Sequence, residues 1–250
     1  MRAPLVLVSA AMAVPSAFYR PLVSAFEERG WEARALPTRG FERDEPIASR
    51  EHDWSYADEI QGIADAVAKA RADDPDRPVI LLGHSLGAQL CLGHELNHPP
   101  SDGLVTVGAG VPHFRHYPYG GAPLLAMSLM VPVVTRLRGY LPKPFFGAPG
   151  ARTLMREWAG FLRTGVPPFP ADGRVAVPSL AIHLQGDALA VSTANKAFVE
   201  RFLDPERTTR WVYTRDAAPE DGTTDHVQWA RTPGPVVDRI VTWWTTHPHR

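Results

Sequence analysis

The sequence predicts an α/β fold: a mostly parallel sheet of about six strands, helices on both faces, and a helical cap inserted late in the chain. Three observations carry this. Short apolar runs alternate with segments of helical periodicity along most of the chain, the pattern of strands joined by crossover helices. One run, residues 79–82, is wholly apolar, as a strand buried on both faces should be, and leads through a glycine-framed turn into a helix. From 111 to 170 the alternation stops, in a stretch far longer than a strand-to-strand crossover requires.

In order, residues 5–8 read as a buried strand, 9–15 as a loop of small residues, and 16–29 as an amphipathic helix ended by Gly30. A strand over 31–36 closes at Pro37, and the polar stretch 39–53 is loop. Ile60, Ile63, Ala64 and Val67 set a helix from Ser55 to about Arg71, broken by Asp73-Asp74-Pro75. Past the central turn, 103–107 is another apolar strand. The insert carries Tyr117, Tyr119, Met127, Met130, Tyr140, Phe145, Phe146, Trp158 and Phe161, too apolar for a disordered segment. The sheet resumes with a strand over 179–184, a helix over 193–202 and a last strand over 209–213. A polar loop then leads to His226, and a helix over 236–244 closes the chain. Domain organisation follows: a core of 1–110 and 171–250, and a cap of 111–170.

Composition narrows the function classes. Of the 250 residues 44% are hydrophobic and 21% charged, as in ordinary globular proteins. A net charge of −1 gives no electrostatic basis for nucleic acid or an anionic membrane, and no apolar run reaches membrane-spanning length. The single cysteine, Cys91, excludes an internal disulfide. Arg2, the apolar run 5–14 and Pro15-Ser16-Ala17 imitate a signal peptide, but cleavage there would remove an inner strand and the loop behind it. The strand reading is favoured and a cytoplasmic chain expected, with homodimerisation left open.

The turn itself reads Gly83-His84-Ser85-Leu86-Gly87, the nucleophile elbow between strand and helix. The bend is so sharp that side chains at 83 and 87 would collide with strand and helix, and Ser85 is left above the sheet edge. A serine hydroxyl needs a base, and the base an orienting acid, in the chain order Ser…Asp…His. Asp187, in a turn after a strand, and His226, in the loop after the last strand, fit those places. Asp216, Asp221 and Asp225 follow the last strand and suit the base's loop better than the acid's role. For the oxyanion, Leu86 N–H is one donor. The other lies in the loop after the first strand, assigned to Ala11, with Ala10 and Met12 as the neighbouring alternatives. His94-Glu95-Leu96-Asn97-His98 matches a zinc-protease pattern, but it sits at the far end of the elbow helix, before Pro99-Pro100. No metal and no organic cofactor is expected.

With these residues the chain resembles an α/β-hydrolase-fold serine hydrolase over nearly its whole length. More narrowly, Ala11-Met12-Ala13-Val14-Pro15, Phe18-Tyr19-Arg20 and Arg156-Glu157-Trp158 resemble bacterial predicted α/β-hydrolases. Two departures stand out. The usual His-Gly of the oxyanion loop is Ser9-Ala10 here, and the chain starts at what is normally the third strand. The resemblance implies a small-molecule acyl substrate, most simply an ester. A thioester, a non-hydrolytic lyase or cyclase, and a binding protein on the same scaffold are the alternatives. Met12, Tyr117, Met127, Met130, Trp158 and Trp229 are the expected lining of an apolar pocket.

Overall fold

The computed structural model of the chain describes residues 2–143 and 148–246. Its strands are β1 (Leu5–Ser9), β2 (Glu32–Ala35), β3 (Val79–His84), β4 (Gly103–Val107), the short β5 (Tyr140–Leu141) and β6 (Gly150–Ala151), β7 (Ser179–Leu184) and β8 (Thr208–Tyr213). Six of them form the central sheet in the order β2-β1-β3-β4-β7-β8, with every neighbouring pair parallel. The sheet agrees with the sequence reading in strand number and direction.

Side-chain alternation along the strands splits the core in two. Leu5, Leu7, Val79, Leu81 and Leu104 face one cluster, which α2 (Tyr56–Asp73), α3 (Leu86–Asn97) and α6 (Ser192–Phe202) cover with Tyr56, Ile60, Leu90 and Phe198. Val6, Val8, Ile80, Leu82 and Val105 face the other, covered by α1 (Arg20–Glu27) and α7 (Gly234–Thr246) with Leu22, Phe26, Ile240 and Trp243. A strand covered on both faces must be apolar at every position, as β3 is. β2 is an edge strand. It reads Glu-Ala-Arg-Ala, and Glu32 is held by Arg34 and Arg77 outside the core.

Helix starts follow local chemistry. In α2, Ser55 and Asp58 form a reciprocal capping box, each side chain accepting from the other's backbone N–H. The stretch expected as one helix over 16–29 is a 3-10 turn, Ser16–Tyr19, followed by α1, because Pro21 suits only a first helical turn.

Between β4 and β7 lie α4 (Ala122–Arg138), the antiparallel pair β5–β6, and α5 (Arg152–Thr164). The insert is mostly helical, with the short β5–β6 pair between its two long helices. One expectation needs correction here. The stretch Tyr119–Arg138 is 20 residues of helix, long and apolar enough by length and composition to cross a membrane, with a mean hydropathy of 1.4. This overturns the expectation that no apolar run reaches such a length. The helix runs through Pro132, and Arg163 Nη1 donates at 2.8 Å to Ser128 O, the carbonyl that proline deprives of its helical partner. Phe145 and Phe146, like the terminal His247 and His249, lie outside the described residues.

Candidate active site

The elbow is built by strain that two glycines relieve. Ser85 has φ 54° and ψ −113°, a conformation rare for a residue with a side chain. A Cβ on Gly83 would sit 2.4 Å from Ala88 Cα, and one on Gly87 would sit 2.1 Å from Ser9 O. Ser85 N–H donates to Val107 O at 2.9 Å, tying the bend to β4.

Three side chains from three loops meet at this bend. Ser85 Oγ lies 2.8 Å from His226 Nε2, and His226 Nδ1 lies 2.6 Å from Asp187 Oδ2. Asp187 Oδ1 accepts from the backbone N–H groups of Leu189 and Ala190, both at 2.8 Å. Burial by itself would raise the Asp187 carboxyl. The His226 ring and these two amides outweigh it and hold the group below the ordinary aspartate value. The loop of His226 is held by Asp225, whose Oδ1 accepts from Val227 and Gln228 N–H at 2.9 Å. Gly108, at φ 57°, gives the imidazole room: a Cβ there would lie 3.2 Å from the His226 ring and 3.3 Å from Asp187 Oδ2.

A second, fully buried network lies beneath. Tyr19 Oη accepts from Ala11 N–H at 2.9 Å and lies 2.8 Å from His84 Nδ1, while His84 Nε2 is 2.6 Å from His226 O. A carbonyl oxygen only accepts, so Nε2 carries the proton, Nδ1 is the acceptor and Tyr19 donates to it. Burial keeps His84 neutral, its pKa lowered to about 3. With the Nε2 proton directed at His226 O, Trp229 meets His84 as a ring contact, edge to face with centroids 5.3 Å apart. The signal for this network was present in the sequence as His84 inside the elbow and Tyr19 inside Phe18-Tyr19-Arg20. Neither residue's partner could be read from spacing.

Three site assignments change: Ala11 as an oxyanion donor, and Met130 and Trp229 as pocket lining. Ala11 N–H is committed to Tyr19, so it is not a free oxyanion donor; Met12 N–H, one residue on, has no hydrogen-bond partner among the described residues. Leu86 N–H opens α3, where a helix has no internal acceptor to offer. Ser85, Leu86, His226, Met12, Tyr117, Met127 and Trp158 line a cavity of about 490 Å³. Met130 and Trp229 do not. Met130 is 38% exposed on the outer side of α4, and Trp229 is fully buried in the core against His84. Gln89 also lines the cavity. Its amide is fixed between Tyr56 Oη at 2.9 Å and Gly110 O at 3.2 Å. At the far end of α3, His94 and His98 stack with ring centroids 5.5 Å apart, and no group of three metal-type ligands occurs among the described residues.

Sheet order, elbow and loop placement together define an α/β-hydrolase-fold serine hydrolase. Residues 2–145 match the family Hydrolase_4, described as serine aminopeptidase, S33, and the chain belongs to that family. No curated protein matches the sequence. Among solved structures it is similar to the monoacylglycerol lipase of Paleococcus ferrophilus, at 14% identity over 96% of each chain with a TM-score of 0.66. A soluble variant of monoglyceride lipase from Saccharomyces cerevisiae is similar at 13% identity, over 99% of this chain and 87% of that one, TM-score 0.67. The thioesterase domain from the curacin biosynthetic pathway is similar at 14% identity over 96% and 92%, TM-score 0.61. At such identities the likeness establishes the fold.

Proposed function

We propose that the chain hydrolyses carboxylic esters of small, largely apolar acyl groups through a covalent acyl-enzyme on Ser85. The observation that carries this is the hydrogen-bonded row Ser85–His226–Asp187, at 2.8 and 2.6 Å, opening into the apolar cavity. His226 Nε2 takes the Ser85 proton as Oγ attacks the ester carbonyl, and the N–H groups of Leu86 and Met12 receive the oxyanion. Asp187 holds Nδ1–H and stabilises the imidazolium. His226 then protonates the departing alcohol. A water molecule attacks the acyl carbonyl as His226 Nε2 takes its proton, and His226 then passes that proton to Ser85 Oγ as the acid leaves. Each proton starts and ends on a named atom, and no cofactor enters.

The test is a panel of p-nitrophenyl esters and matched acyl thioesters, turned over by the native chain and by Ser85→Ala. Hydrolysis of short and medium acyl esters, lost by a factor on the order of 10⁴ or more in Ser85→Ala, supports the reading. A Ser85→Ala protein that retains native turnover overturns it. Turnover of thioesters with inert esters moves the assignment to the thioesterase alternative.

A further inference from the structure

A second cavity of about 330 Å³ adjoins the first and shares Ala11, Met12 and Leu86 as its walls. It lies under β6 and the start of α5, between α2 and the loop after β2. Most of its surface is apolar, from Leu36, Trp54, Ile63, Leu154 and Met155. Of the carboxylates that line it, Glu59's is the one withdrawn from solvent. The Glu59 side chain is 14% exposed and, among the described residues, accepts no hydrogen bond; its charged neighbour is Arg39, whose Nε is 4.0 Å away.

Capping of the helix does not account for this residue, although its place in the first turn of α2 suits a carboxylate. The capping carboxylate of α2 is Asp58, already engaged with Ser55, so the helix start is satisfied without Glu59. A solvated surface role fails as well, because burial raises the Glu59 carboxyl to about 7 even with Arg39 pulling it down. Glu45 lines this chamber as well and, with Asp58, adds negative charge near Glu59 that Arg39 alone opposes. A desolvated carboxylate with a distant partner gains most from a cation that brings its own donors.

We propose that this chamber is a binding site for an alkylammonium group, held by Glu59 at the end of an apolar channel that begins at Met12. The assignment rests on the Ser85 reading only in calling the occupant one end of the substrate: an ester whose chain ends in a protonated amine. The alkyl portion packs along Ile63, Leu154 and Met155, and the ammonium donates to Glu59. Arg39 competes for the same carboxylate and sets an upper limit on affinity.

Calorimetric titration of the intact chain with a medium-chain alkylammonium and with the alcohol of equal length tests this without any turnover. The ammonium should bind roughly 10- to 100-fold more tightly than the alcohol, the contribution of one charged hydrogen bond. Glu59→Gln should abolish that preference. Arg39→Ala, a change at a half-exposed side chain, should increase it, which keeps the test open if Glu59→Gln does not fold. Equal binding of the two ligands, or a preference indifferent to both substitutions, overturns the proposal. Because Ser85→Ala should bind the ammonium as the native chain does, failed ester hydrolysis and failed ammonium binding are separate results.

Discussion

Tyr19 and His84 connect two parts of the site that are separate in sequence. Tyr19 Oη receives the Ala11 N–H of the oxyanion loop, and His84 Nε2–H holds the backbone carbonyl of His226. Both are positioning residues, since neither lines the substrate cavity. Tyr19→Phe leaves a buried amide and His84 Nδ1 unpartnered, which should cost about 1–3 kcal/mol in urea unfolding. A purely structural loss would stop there. Because the network sets the placement of His226 and of the loop bearing Met12, the variant should also show a lower kcat with KM unmoved. An unchanged kcat in folded Tyr19→Phe would remove the positioning role.

At the scale of elements, the site depends on how closely α3 approaches the loop after β1. Gly87 is the contact point, with Ser9 O 2.1 Å and Ala10 O 2.7 Å from the position a Cβ would take. These are backbone atoms and cannot swing aside. Gly87→Ala should therefore cost about 1–3 kcal/mol as an overpacking substitution and slow modification of Ser85 by shifting the Met12 amide. A variant with native urea midpoint and native labelling rate would contradict this. The same contact explains what was legible in the sequence. Apolar runs, glycines two residues either side of Ser85 and proline stops are local signals, and the six strands and the bend follow from them. The Ala11 amide could not be assigned locally, because its fate depends on a hydroxyl eight residues away that folds back over the loop. Trp229 reads as pocket lining from sequence, and packing against His84 puts it in the core instead. That α4 runs through Pro132 is not legible locally either, because the carbonyl left open is met by Arg163 from a different helix.

Across the whole molecule, buried titrating groups outside the Ser85–His226–Asp187 row link folding to pH in opposite directions. Glu95 on α3 is 8% exposed, with Ser101 Oγ donating to Oε1 at 2.6 Å. Burial raises its carboxyl from 4.5 to about 7. In that window the folded chain holds a proton that the unfolded chain has released, so stability present below pH 4.5 is lost as pH rises toward 7. His84 works the other way. Its folded value of about 3 lies below the ordinary 6.5, so its contribution is full above 6.5 and is lost as pH falls below that. Glu95→Gln removes the first effect alone. Its unfolding free energy relative to the native chain should improve by on the order of 2–3 kcal/mol between pH 4.5 and 7. A difference that stays flat with pH would show that Glu95 ionises in the folded chain as it does in water.

The most direct measurement is peptide mapping by mass spectrometry after treatment with a fluorophosphonate, on the native chain and on His226→Ala, with circular dichroism confirming that both are folded. The expected result is one phosphonyl adduct, on the peptide containing Ser85, formed rapidly by the native chain and lost or strongly slowed without the imidazole. A folded native chain whose Ser85 stays unmodified, or one that reacts equally fast without His226, would contradict an activated hydroxyl at this bend.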